Sequence, residues 1–303
     1  MDKTTSQYTD DNILLVPESL YSMSDVRVLF KGESGVIFYK DLQQELIDIE
    51  FFTNYPCLVY LLHGKETITT ADNQQFKLGP GDLIFFAKGL NLYSDYLAED
   101  GRLNAFLVFF SPQLIQDFFA YILEQGKGIS NANTATNAIF KIPPQQGLKV
   151  YFESLLQLAD AGLVAEEGLL KIKLLELLRI ADLADVDQLL RPALLLNENR
   201  QSKRNIQRLL EKNLLSDLSV ADLAELSGRS LASFNRDFKR EFSTTPKKWL
   251  LERRLQHAYE LVECSEFSVT EIAIKIGYEN VSHFIKAFKE KYGVTPKSLQ
   301  QSL

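Results

Sequence analysis

At 303 residues, 46% hydrophobic and 24% charged, the chain has the composition of an ordinary globular protein and is long enough for two domains. No apolar run approaches the ~18 residues of a membrane span, residues 1–11 lack the apolar core of a signal peptide, and two cysteines, Cys57 and Cys264, suit a reducing cytoplasm and no disulfide scaffold. The net charge of −7 speaks against nucleic acid until it is divided: from Arg200 onward there are 18 Lys and Arg against 13 Asp and Glu, net +5, which leaves −12 on the preceding 199 residues.

Taken in order, residues 1–24 read as a loosely ordered arm. Short β segments follow at 26–30, 35–40, 46–52, 58–62, 66–70, 75–78, 83–87, 92–96 and 103–110. Turn signals separate them, among them Lys31-Gly32, His63-Gly64, Ala71-Asp72-Asn73 and Gly79-Pro80-Gly81-Asp82. Strands this regular predict a sandwich or barrel. Phe38, Tyr60, Phe86, Tyr93 and Phe106 lie on these strands, where they either line an effector pocket or fill the core. His63 is the one histidine of this half, too few for an imidazole-rich metal site. With no G-x-S-x-G, phosphate-binding loop or dinucleotide fingerprint either, the expectation is no enzyme, no cofactor and no metal.

Pro112 suits a first helical position and opens a predicted helix over 113–123. The Gly-, Asn- and Pro-containing stretch 126–146 reads as a loop, followed by helices at 147–159 and 169–183. The last carries leucine or isoleucine at 169, 170, 172, 174, 175, 177, 178 and 180, an apolar surface too wide for one contact. Leu170, Leu174, Leu177 and Leu178 are therefore candidates for a dimer interface, with packing inside the chain as the alternative. Polar residues 197–203 are the candidate linker.

Beyond it the chain is written twice. Ser219-Val220-Ala221-Asp222-Leu223-Ala224 to Gly228, then Phe234, Phe238-Lys239 and Thr245-Pro246-Lys247, recurs as Ser268-Val269-Thr270-Glu271-Ile272-Ala273 to Gly277, then Phe284, Phe288-Lys289 and Thr295-Pro296-Lys297. Ser219 with Asp222, and Ser268 with Glu271, form capping-box patterns. Gly228 and Gly277 end those helices. Second helices start near Ser230 and Asn280, with Phe234, Phe238 and Phe242, or Phe284, Phe288 and Tyr292, along one face. Each copy is a predicted helix-turn-helix, near 220–242 and 269–292. The opposite faces present Ala232, Asn235, Arg236, Lys239 and Arg240, then Val281, Ser282, Ile285, Lys286 and Lys289. Arg and Asn match guanine and adenine edges in the major groove, Lys neutralises phosphate, and Ile285 on an outer face suits a thymine methyl.

These features resemble the DNA-binding domain of the AraC/XylS family of bacterial transcription regulators, over about the last hundred residues. Arg254-Leu255 with Ala258 and Leu261 is similar to the family's linker helix, and residues 61–82, ending in Pro80-Gly81-Asp82, are similar to its cupin-type jelly roll. The resemblance implies base-reading positions at Ala232, Asn235, Arg236, Val281, Ser282 and Lys286. It also implies an activator working with RNA polymerase, and layout resembles a subgroup that includes regulators of type III secretion. Ala232 is smaller and Ile285 more apolar than the family pattern.

The expectation is an α+β chain in the cytoplasm. A cupin-like regulatory β domain spans 1–110, a helical dimerisation region 111–196, the linker 197–203 and an all-α DNA-binding domain 204–303. Expected partners are double-stranded DNA, a second copy of the chain and an effector that is a small molecule or a protein, with no membrane. The competing reading is a ligand-binding cupin protein whose helical C-terminal domain makes protein contacts.

Overall fold

The computed structural model describes residues 4–5, 13–97, 102–125, 137–162, 167–195, 204–214, 219–264, 267–278 and 280–301. The chain divides into two compact units, Met1–Ser202 and Lys203–Leu303. The predicted linker, 197–203, lies outside the described residues.

The first unit is built on two sheets. Its strands are β1 (Leu14–Val16), β2 (Val26–Lys31), β3 (Gly35–Leu42), β4 (Leu46–Thr53), β5 (Cys57–His63), β6 (Lys65–Thr69), β7 (Gln75–Leu78), β8 (Leu83–Phe86), β9 (Asn91–Leu97), β10 (Leu103–Phe110) and β11 (Ile139–Ile142). One sheet has the order β1-β4-β9-β6-β7 and the other β11-β8-β5-β10-β3-β2. They face each other across a core that includes Ile49, Leu92 and Ile68 from the first sheet and Phe38, Val59, Phe86 and Leu107 from the second.

The six-stranded sheet is covered on its other face as well. There it packs against helices α1 (Pro112–Glu124), α2 (Gln146–Asp160), α3 (Glu167–Ala184) and α4 (Leu190–Leu194). Central strand β10 is consequently buried at every position. Ala105, Leu107 and Phe109 enter the core between the sheets, while Phe106, Val108 and Phe110 point to the helices. A strand buried on both faces needs an unbroken apolar run, which Leu103–Phe110 supplies. Glu167 anchors the start of α3 to the β2–β3 turn, its carboxylate accepting from the backbone N–H groups of Glu33 and Ser34 at 3.0 Å each.

Several sequence expectations change here. Within the supposed arm, Leu14–Val16 pair in parallel with Phe51–Thr53 of β4 and bury Leu14 and Val16. Within the supposed loop, Ile139–Ile142 pair with Leu83–Phe86 of β8, and Lys141 reaches Asp82 of the Pro80-Gly81-Asp82 turn at 2.8 Å. Both are short edge strands whose few alternations do not stand out from the polar residues around them.

The five pocket aromatics do not share a cavity. Phe38 and Phe86 lie between the sheets. Tyr60 and Phe106 face the helices, where Tyr60 stacks on Phe152 at 4.3 Å. Tyr93 is buried on the face of β9 opposite Leu92 and Ser94. Leu170, Leu174, Leu177 and Leu178 are fully buried against the six-stranded sheet and its helices, so they are core residues and present nothing to a second copy. On α3, Ile172 and Leu183 are the large apolar side chains left exposed.

Between the sheets remains a cavity of about 30 Å³, lined by apolar residues together with Lys40, Glu66 and Tyr96. The Lys40 ammonium donates to the Tyr96 hydroxyl at 2.5 Å, and Ser94 Oγ donates to Glu66 at 2.6 Å. Burial holds Lys40 below its ordinary pKa and Glu66 above it. His63 is an exposed strand end.

The second unit is helical: α5 (Ile206–Lys212), α6 (Val220–Leu226), α7 (Leu231–Phe242), α8 (Pro246–Cys264), α9 (Val269–Lys275), α10 (Val281–Tyr292) and α11 (Pro296–Gln300). Two small cores repeat the duplication. One gathers α5, α6 and α7 around Phe234, Phe238 and Trp249, the other α9 and α10 around Phe284 and Phe288. The long helix α8 belongs to both, giving Trp249 and Leu250 to the first core and Leu255, Ala258 and Val262 to the second.

Candidate nucleic-acid interface

Both motifs are set by local hydrogen bonding that the spacing anticipates. Ser219 Oγ accepts from the Asp222 N–H at 3.2 Å while Asp222 accepts from the Ser219 N–H at 2.8 Å. Ser268 and Glu271 repeat the arrangement at 3.3 and 2.8 Å. Hydrogen bonding of each carboxylate to its serine, first to the hydroxyl (Ser268 Oγ donates to Glu271 at 2.7 Å) and then to the backbone N–H, lowers the pKa of Asp222 and Glu271. Gly228 and Gly277 take φ of 67° and 76°, the left-handed conformation that ends α6 and α9 and turns the chain into the next helix. Ser230 caps α7 through the Ser233 N–H, and Asn280 caps α10 through the N–H groups of Ser282 and His283.

With the phenylalanines inside, the outward faces follow. On α7, Ala232, Asn235, Arg236, Lys239 and Arg240 are all exposed, the Arg236 and Arg240 side chains at 73%. On α10, Ser282, Lys286 and Lys289 are exposed, Lys286 at 77%. Val281 and Ile285 differ from expectation. Both are half-buried against the second core, so Ile285 serves packing first, and an apolar side chain beside an apolar core goes that way for free energy alone. His283, next to Ser282, is also exposed, a position the sequence did not single out.

Three further groups that periodicity did not single out shape this surface. Asp237 is buried on α7 and pairs with buried Arg229, which follows Gly228, at 3.2 Å. A charged residue three positions after Phe234, on the apolar side of the helix, is the signal that could have found it. Arg254 of α8 donates to the carbonyl of Leu214, after α5, at 3.1 Å and to that of Gly277 at 3.4 Å. It thus ties the first half to the turn of the second motif. Lys291, at the end of α10, donates to the carbonyl of Glu252 on α8 at 2.6 Å. Among the described residues no helix is long and apolar enough to cross a membrane.

Comparison with known proteins covers both units. Residues 223–302 match a helix-turn-helix domain family and residues 56–190 match the ExsA N-terminal regulatory domain. The HTH-type transcriptional regulator ExsA of Pseudomonas aeruginosa is 26% identical over 244 residues, 80% of this chain and 84% of that one. The virulence regulon transcriptional activator VirF of Yersinia enterocolitica is 24% identical over 245 residues, 78% and 86% of the two chains. Among solved structures, fatty-acid-bound ToxT of Vibrio cholerae gives a TM-score of 0.42 at 13% identity, covering 89% of this chain and 95% of that one.

Proposed function

Because the chain belongs to the AraC/XylS family of transcription regulators, we propose that it is an activator that lays α7 and α10 in successive major grooves about one helical turn apart. The DNA-binding regulator assignment excludes an enzyme, since catalysis has no part in what this family does. One observation carries the reading: the same solvent-facing surface of a duplicated motif bears Arg236, Lys239 and Arg240 in one copy and Lys286 and Lys289 in the other. Arg236 and Lys286 are the central base readers. Asn235, Ala232, Ser282 and Val281 contribute at the groove floor or its edge, and Ser230, Asn280, Lys239, Arg240 and Lys289 hold the backbone.

The first unit regulates. Self-association, contact with RNA polymerase and residence in the cytoplasm complete the reading. Ile172 and Leu183 on α3 are exposed apolar side chains that a second copy could cover, as are Leu123, Val150 and Val186. The cavity between the sheets has room for about one water. That disfavours a metabolite enclosed between the sheets and leaves the effector, a small molecule or a protein, to act elsewhere on the unit.

The test is binding of the full chain to duplexes selected from a random pool. Arg236→Ala should cost about 1–3 kcal/mol and flatten base preference, whereas Lys239→Ala should weaken every duplex alike. Equal losses for Arg236→Ala on selected and scrambled duplexes would remove Arg236 as a base reader.

A further inference from the structure

The first motif contains a charge cluster that the second lacks. The Asp237 carboxylate is 8% exposed and the Arg229 side chain 5%, with Arg229 Nε 3.2 Å from Asp237 Oδ2. Arg229 is fixed in turn by donating Nη1 to the carbonyls of Arg204 at 2.7 Å and Ser227 at 3.1 Å. The second carboxylate oxygen, Oδ1, faces outward to Arg240 Nη2 at 3.4 Å and Arg236 Nε at 3.7 Å. Arg236 also donates Nη2 to Ser233 Oγ at 3.2 Å.

An arginine reads guanine by offering two parallel N–H groups to O6 and N7. A free guanidinium on a flexible stem samples many orientations, and fixing it on binding costs conformational entropy. Here the Asp237 carboxylate pairs with Nε and Ser233 Oγ accepts from Nη2, which restrains the guanidinium of a side chain that is itself 73% exposed. Asp237 can do this without repelling DNA because its charge is balanced by Arg229 beneath it and by Arg240 beside it. Fifty residues on, the corresponding positions are Lys286, Ala287 and Glu290. There the neighbouring side chain is a methyl group, and Lys286 pairs with the exposed Glu290 at 4.0 Å.

We propose that Asp237 is a specificity-determining positioning residue, buttressing Arg236 so that the half-site under α7 is read as containing a guanine. The proposal rests on Arg236 being a base reader and adds what makes it selective. It is tested with the full chain on the duplexes selected from a random pool, then on the same duplexes with each base of either half-site replaced.

Asp237→Asn should lower discrimination for the guanine under α7 by about tenfold. Affinity for scrambled duplex should hold or rise, and preferences under α10 should not change. In the Arg236→Ala background, Asp237→Asn should have no further effect on base preference. Retention of the guanine preference in Asp237→Asn, or equal flattening of both half-sites, overturns the proposal, since a purely structural role predicts one or the other. The double variant Arg229→Met/Asp237→Leu removes the buried pair together and supplies the same reading if Asp237→Asn fails to fold. A guanine preference surviving in it also overturns the proposal. Arg236→Ala without effect on preference sinks the base-reader assignment as well, whereas Arg236→Ala flattening it while Asp237→Asn does not sinks the buttress alone.

Discussion

Lys40 is a lysine inside a sandwich, and its neighbours explain how the fold accommodates it. Its ammonium donates to Tyr96 and lies 3.9 Å from the centre of that ring. Glu66, lining the same cavity, supplies the counter-charge. Breaking a buried pair from one side costs more than the pair contributes, because one charge stays behind. Lys40→Met should therefore destabilise the chain by about 3–5 kcal/mol in urea unfolding at neutral pH. Burial raises the folded pKa of Glu66 above its ordinary 4.5, so the folded state holds that proton more tightly than the unfolded one. In Lys40→Met the lost cation no longer lowers the Glu66 pKa, so the penalty should grow as pH rises from the folded value of the parent chain to the higher one of the variant. A loss independent of pH would mean that Glu66 is not the group left uncompensated. Residues of this kind were not legible in the sequence. Nothing local marks Lys40 or Glu66 as buried, since only the tertiary structure closes over them, whereas the capping serines and turn glycines were legible because their roles are local.

Elements were read well where they are long. The segments predicted at 26–30 through 103–110 coincide with β2 to β10 within a residue or two at each end, and the helix pairs α6–α7 and α9–α10 run from Val220 to Phe242 and from Val269 to Tyr292. The leucine-rich helix shows the limit. Its width said that α3 touches more than one neighbour, and it does, lying against both α1 and α2 and over the sheet. Pattern alone could not say that all those neighbours belong to the same chain. The turn glycines give a test at this scale. A Cβ on Gly277 would sit 3.1 Å from Arg254 Nη1 at a φ of 76°. Gly277→Ala should cost about 1 kcal/mol or more of stability, seen as a lowered urea midpoint. Arg254→Met removes the tie between the halves without touching either outward face. It should leave base preference intact at each half-site while reducing the affinity gained from having both on one duplex, as measured against single half-site fragments.

For the whole molecule, charge is divided by unit. The net +5 from Arg200 onward and −12 before it make DNA affinity a property of one part of an acidic chain. Binding should fall linearly on a log–log plot of affinity against salt, with a slope of about −0.9 per phosphate neutralised. Lys239→Ala should reduce that slope by about one. A salt-independent affinity would favour instead a helical unit that makes protein contacts. The duplication and the charge division together made this function legible from sequence. The regulatory unit was legible only as a class of fold, because its interior had to be seen before the aromatic pocket and the leucine interface could be set aside.

The helix shared by the two small cores acts as a ruler. Each residue of an α-helix adds about 1.5 Å and 100°, so one residue inserted into α8 between Leu250 and Leu255 would swing one reading head a quarter-turn or more out of phase with the other. Promoters recognised by this chain should then tolerate changes of base at single positions far better than the gain or loss of one base pair between their two halves.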